Sequence, residues 1–282
     1  MKVGITQFVT DRTIDIVSLA RHCERLGFES LWVPEHPVVP VDMTTPFPGS
    51  ADGKLPDFYK RLMDPFVGLA AAAGATEKIL LGTGICLVPE RNPLYTAKEV
   101  ATVDRVSNGR FLFGIGAGWI GEEAEVFGVD FPRRWTQTRE HVQALKVLWS
   151  EEHPEFHGKY VDFPKVWCYP KPIQQPHPPI LIAGELERMA ARVADYGDGW
   201  IPRGRAIDPA GVEQGRARIA GLYRERGRDP AQLTVSIYGA DPDRESNRRF
   251  ADAGTDRVVH MLPSKGEAET VKQLEQWAAE LL

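Results

Sequence analysis

Short apolar runs alternate with amphipathic stretches along the whole chain, and the change of period marks the elements. Runs of strand length occupy residues 2–9, 30–33, 79–87, 111–115, 179–183, 199–202, 233–238 and 257–262. Helical spacing fills the intervals. Residues 13–26 place Ile14, Val17, Leu19, Ala20 and Leu26 at helical intervals and stop at Gly27. Asp64 with Pro65, and Asn92 with Pro93, each pair an N-cap with a proline at the first helical position, which predicts helices as far as Ala75 and Val106. A further helix follows residue 119, is interrupted from Gly128 to Pro132, and resumes over 134–149. Helical patterns then cover 185–196, 208–225, 244–252 and 267–281.

Strands that alternate with helices call for a parallel sheet, because each crossover must pass over a face. Eight such units within 282 residues predict a closed (β/α)8 TIM barrel, whereas an open doubly wound sheet would be unusually wide. Two stretches break the pattern. Residues 38–62 are rich in Pro, Gly and Asp and have no periodicity. Residues 151–178 carry FHGKY at 156–160 and YPKP at 169–172, and read as a hairpin-like excursion inside one barrel domain spanning residues 1–282. Counted after the second and fourth strands, both insertions are expected at the C-terminal strand ends, where such barrels place their active sites.

Composition narrows the function classes. The chain is 43% hydrophobic and 26% charged with a net charge of −5, an ordinary balance for a globular protein with a sizeable core. That charge offers no basic footprint for nucleic acid or an anionic membrane. Cys23, Cys86 and Cys168 are scattered and odd in number, which argues against a disulfide framework. The chain opens directly into a strand pattern without a signal-peptide profile, and no apolar run approaches the roughly 18 residues of a membrane span. A cytoplasmic location is expected.

The candidate chemistry gathers at the predicted strand ends. Residues 109–119 read GRFLFGIGAGW, a buried strand emptying into a glycine loop ahead of a helix. Gly116 and Gly118 let the backbone approach a ligand, and its N–H groups suit a phosphate. Gly116, Gly118 and Gly121 spell G-x-G-x-x-G, but no acidic residue closes a strand about 20 residues later, as a Rossmann fingerprint requires. Around the same rim stand Gln7, Phe8, Glu35, His36, Gly84 to Leu87, Gly184, Glu185, Arg203, Arg205, Tyr238 and His260. His36, Glu35, Glu185 and His260 lack metal-ligand spacing, so no metal is expected. No G-x-S-x-G elbow supports a serine nucleophile. His36 is the strongest single candidate, an imidazole able to polarise an oxygen or shuttle a proton. Cys86 reads as a buried structural thiol, and Trp32, Trp119 and Phe8 as packing residues, unless a rim aromatic covers a flat ring.

An ordered series of segments carries a family resemblance: LGFESLWV at 26–33 with Glu35 and His36, ILLGTGI at 79–85, and Asn92-Pro93 through GRFLFGIGAGW. YPKP at 169–172, PPILIAG at 178–184 and GDGW at 197–200 complete it. Over roughly residues 1–205 the chain resembles the luciferase-like monooxygenase superfamily, specifically its branch dependent on the deazaflavin coenzyme F420. The resemblance implies a flavin-type ring at the strand ends. It makes Glu35 and His36 the pair facing ring and substrate, and it puts a non-prolyl cis peptide at Gly84-Ile85. Its cofactor contacts fall on Phe8, His36, Gly84, Ile85, Cys86, Gly116, Ala117, Gly118, Trp119, Gly184 and Glu185. Trp119 stands where sugar-phosphate dehydrogenases of this branch have a glutamate acid, and Glu185 would repel a phosphate. Lys54, Arg203 and Arg205 are the cations available to compensate in the substrate loops. The expected function is hydride transfer between F420 and a small organic substrate, in a homodimeric enzyme. The alternatives are an FMN-dependent monooxygenase using O2 and a non-catalytic flavin or F420 binder.

Overall fold

Eight parallel strands hydrogen-bond in a ring: β1 (Lys2–Thr6), β2 (Ser30–Val33), β3 (Leu80–Thr83), β4 (Phe111–Gly116), β5 (Ile180–Ala183), β6 (Gly199–Ile201), β7 (Thr234–Ala240) and β8 (Arg257–Met261). Each pairs with its sequence neighbours, and β1 pairs with β8, so the sheet closes without an edge. The computed structural model describes all of residues 1–282. Helices α1 (Ile16–Leu26), α2 (Pro65–Gly74), α3 (Pro93–Val106), α4 (Gly121–Val126), α5 (Arg134–Ser150), α6 (Leu186–Tyr196), α7 (Pro209–Glu225), α8 (Arg244–Asp252) and α9 (Glu267–Leu281) form the outer layer. The fold is the (β/α)8 TIM barrel.

Strand alternation sorts the core into two layers. On β4, Phe111, Phe113 and Ile115 face the helices and join the large outer core, while Leu112 joins Trp32, Leu181, Ile201 and Val259 inside the barrel. Trp32 fills the interior because its neighbours lack side chains. A Cβ on Gly82 would lie 2.4 Å from the indole, and one on Gly4 would lie 3.2 Å from Nε1. The indole N–H donates to Ser30 Oγ at 2.8 Å. At the N-terminal end of the barrel, buried Arg257 pairs with half-buried Glu29 and donates to Ser236.

Local chemistry places the helices where the sequence predicts them. Asp64 accepts from the Val67 N–H and Asn92 from the Leu94 N–H, each ahead of its proline. Three features depart from expectation. First, β1 ends at Thr6 rather than at residue 9: the Gln7 N–H turns to Trp32 O, and Val9 O receives the Met63 N–H at the end of the first insertion. Second, the run 79–87 breaks after Thr83. The Gly84-Ile85 peptide is cis, as the family resemblance implies, and Cys86–Leu87 resumes as a short strand beside Ile115 and Gly116. Third, the insertion at 151–178 does form a hairpin, Phe156–His157 with Asp162–Phe163, but it does not lie at the mouth. It follows a helix and precedes a strand, so it belongs to the opposite face. There Asp104 near the end of α3 accepts from the Ile173 and Gln174 N–H groups, and the Gln174 amide donates to Phe111 O at the start of β4.

Candidate active site

His36 follows β2 and is 8% exposed. Its Nδ1 lies 2.6 Å from Glu123 Oε2, and the Trp119 indole N–H donates to its Nε2 at 3.3 Å. Since an indole nitrogen only donates, Nε2 is the acceptor, and Nδ1 carries the proton toward Glu123. The imidazole is thus held in one orientation with a carboxyl group behind it. The chain brings these three residues together across 87 positions because the ends of β2 and β4 both open at the mouth.

The first insertion supplies a wall for this dyad. Phe47 and Tyr59 come down over the mouth, with ring centroids 5.1 Å apart. Tyr59 lies 5.2 Å from His36 and 6.3 Å from Trp119. Phe8, after β1, meets Phe58 at 4.9 Å and Tyr59 at 5.1 Å. Burial pushes the Tyr59 phenol up to about 12, so it stays a neutral wall residue at ordinary pH. The loop that carries these rings is tied to α4 by Glu122. Its Oε1 accepts from the backbone N–H and hydroxyl of Thr44 at 2.7 and 2.8 Å, and its Oε2 from the Thr45 hydroxyl at 2.6 Å.

Beneath the dyad, Tyr238 donates to Gly84 O at 2.7 Å and accepts from the Thr6 hydroxyl at 2.6 Å. Ile85 packs beside the inner cluster, and its Cδ1 would lie 2.1 Å from a Cβ on Gly116. Gln7 is fully buried and donates its amide N–H to Pro263 O, while its Oε1 has no donor.

Several predicted site residues lie elsewhere. Glu35 does not face the mouth. Adjacent residues of an extended chain point opposite ways, so with His36 inward the Glu35 carboxylate turns outward. It accepts from the Leu87 N–H at 2.7 Å and pairs with Arg91. Cys86 likewise belongs to the outer core; burial, then Glu35, pushes its thiol well up. Ala117 is buried. Gly118 has φ +77°, and a Cβ there would meet Glu90 Oε1 at 2.8 Å. Glu90 beside Gly118, and Glu122 and Glu123 in the first turn of α4, put carboxyl groups next to a loop whose glycines suit a phosphate. Lys54 is not brought in either; it is exposed and paired with Asp52 at 3.5 Å in its own loop. His260 is buried between Ala240 O at 3.0 Å and the Asn247 amide at 3.1 Å, outside the mouth. His36, Glu35, Glu185 and His260 do not converge.

Gly184, Glu185, Arg203 and Arg205 do come together. They line a cleft of about 620 Å3 between the ends of β5 and β6, with Arg203 3.9 Å from Glu185 and Arg205 3.2 Å from Asp241. Sequence reasoning missed Glu90, Glu122, Glu123, Phe47, Phe58 and Tyr59. The acidic pair directly after the glycine loop was a usable signal, as were three aromatics in an otherwise polar insertion.

A TIM barrel with a carboxylate-backed histidine beside an aromatic wall at the mouth defines an enzyme-like site. The model of the family "Luciferase-like monooxygenase" matches residues 6–274, and the chain belongs to that family. It is 34% identical over 283 residues to an uncharacterised protein of Mycobacterium tuberculosis, covering 100% of this chain and 99% of that one. It is 29% identical to the F420-dependent hydroxymycolic acid dehydrogenase of the same organism, over 87% of this chain and 63% of that protein. The crystal structure of the monooxygenase RslO1 from Streptomyces bottropensis superposes with a TM-score of 0.76 at 22% identity, over 100% of this chain and 98% of that one. The family contains F420-dependent and flavin-dependent members.

Proposed function

We propose that the protein is an oxidoreductase that transfers a hydride between coenzyme F420 and a small organic substrate. The observation that carries this reading is the His36–Glu123 dyad beneath the rings of Tyr59, Trp119 and Phe47. The residues present fit such a cofactor. The aromatic wall and Ile85 suit a flat ring, and the orphaned Gln7 Oε1 suits a ring N–H donor. Arg203 and Arg205 give the cleft beside Gly184 cations for the anionic end of the cofactor. The likeness to an F420-dependent dehydrogenase over 87% of this chain supports the F420 reading.

When bound, the deazaflavin supplies the hydride chemistry. The chain supplies position and the proton. His36 Nε2 is the basic atom, Glu123 offsets the imidazolium that forms when Nε2 takes a proton, and the Trp119 N–H guards Nε2 until a substrate oxygen replaces it. The loop carrying Phe47 and Tyr59 excludes water. A binder without catalysis has no need of a buried carboxylate behind the histidine.

Fluorescence titration with F420 and with FMN tests the reading. Micromolar binding of F420 with weaker binding of FMN is expected. His36→Asn should keep F420 affinity within a few-fold and lose turnover by roughly 100-fold or more, as for a general acid–base residue. Preference for FMN, or binding of neither, would overturn it.

A further inference from the structure

On the outside of the barrel, α5 and α6 leave a groove of about 320 Å3 between them. Trp135 and Arg139, one turn apart on α5, face Arg188, Arg192 and Tyr196, which follow one another by single turns along α6. The Arg192 guanidinium lies over the Trp135 ring at 4.8 Å and donates to Arg188 O. None of these three arginines forms an ion pair. The one carboxylate in the groove, Asp195, is taken by Arg226 at 2.6 Å. Arg188 and Arg192 stand at i and i+4, where like charges destabilise a helix. Arg134, at the start of α5, turns away to Gly118 O and Phe131 O, and burial followed by the charges of Arg188 and Arg192 lowers its guanidinium. In a chain of net charge −5, the groove is a local reversal of sign. Tyr196 is 4% exposed, and its hydroxyl has no hydrogen-bond partner. A buried O–H without an acceptor is costly and uncommon. Burial pushes this phenol well up, against the pull of Arg192 and Arg139, so it stays a protonated donor at ordinary pH.

We propose that this groove binds a phosphate dianion, as inorganic phosphate or as the terminal group of a phosphomonoester, between Arg139 and Arg192 with the Tyr196 hydroxyl as a buried donor. Guanidinium groups present paired N–H donors that match phosphate oxygens. A dianion offsets two of the three arginine charges, whereas a single carboxylate would leave two in excess. A phosphate oxygen is then the acceptor that the Tyr196 O–H lacks, and Arg188, further along the same face of α6, draws the anion in. Arg192 already covers the Trp135 indole, so the groove selects charge rather than a flat ring. It shares no residue with the cleft of Arg203 and Arg205, and the proposal does not rest on the reading of the mouth.

Thermal unfolding of the full-length protein in inorganic phosphate, against sodium chloride of equal ionic strength, tests the site without any cofactor. Phosphate at about 100-fold excess over its Kd should raise the midpoint by roughly 3–6 °C more than chloride does. Arg139 is exposed and makes no hydrogen bond, so Arg139→Gln should fold as the wild type does. By isothermal titration that variant should bind phosphate about 10-fold more weakly or worse, the loss expected for one charge-assisted hydrogen bond. Tyr196→Phe should weaken phosphate several-fold, yet leave the phosphate-free midpoint unchanged or higher, because the hydroxyl it removes has no partner in the protein. A purely structural Tyr196 would lower that midpoint instead. Glycerol phosphate separates the two sources. Affinity no greater than that of inorganic phosphate identifies the free ion as the ligand, and tighter binding identifies a phosphomonoester. No stabilisation beyond that of chloride, phosphate binding that survives unchanged in Arg139→Gln, or a lower phosphate-free midpoint in Tyr196→Phe would overturn the proposal.

Discussion

The His36 ring is held by a residue that stands 87 positions away. Glu123→Gln keeps an acceptor 2.6 Å from Nδ1 but removes the charge. Under the proposed role, loss of the carboxylate behind the imidazole should lower turnover about 10- to 100-fold while F420 affinity stays within a few-fold. Stability should change by only about 1–2 kcal/mol, since the hydrogen bond survives. Unchanged turnover would show that the contact plays no part in the chemistry. The histidine was legible in the sequence because it follows an apolar run, and a strand end in this fold is a site. Its partner was not legible, because pairing across the mouth depends on which strand ends meet. The adjacent Glu35 looked like the natural partner, and the alternation of an extended chain turns it the other way, to Arg91.

At the scale of the element, α7 offers a matched pair of glycines. A Cβ on Gly215 would lie 2.3 Å from the Trp200 ring, whereas one on Gly221 meets nothing within 4 Å. Gly221→Ala should stabilise by up to about 1 kcal/mol through helix propensity. Gly215→Ala should destabilise by about 1–3 kcal/mol through overpacking. Urea unfolding of the two variants checks both signs, and equal effects would mean that α7 does not dock on Trp200 as described. Elements governed by local chemistry were readable for this reason: caps and periodicity act within a few residues. Residues 244–252 and 267–281 are helices with the bounds read from the sequence. The break in the third strand is not visible in the apolar pattern, since a run with two glycines reads as continuous; the family resemblance alone places it at Gly84-Ile85. The first insertion showed no pattern because its conformation comes from Glu122 and from ring contacts with other segments.

At the scale of the whole molecule, closure of the barrel decides which loops share a face, and the second insertion shows how this can be misjudged. Counting strands assigned residues 151–178 to the mouth; the intervening helix α5 carries them to the far end. The mouth is therefore covered by the first insertion alone among the two, and its attachment to the barrel runs through Glu122. Hydrogen bonds from Thr45 and Thr44 hold the Glu122 carboxyl well below the usual carboxylate range. A lowered folded pKa means that the contribution is present above the unfolded value and is lost only as pH falls through the folded one. The loop should thus stay attached throughout the mildly acidic range. Glu122→Ala removes the acceptor for both threonines and should release the loop at every pH. Limited proteolysis should then cleave within residues 38–62 several-fold faster than in the wild type, and Thr45→Val should give an intermediate rate because Thr44 still holds the carboxylate. Cofactor dissociation should accelerate in the same order if the loop closes over the ring. Cleavage rates that do not differ among the three proteins would mean that the aromatic contacts alone keep the loop in place.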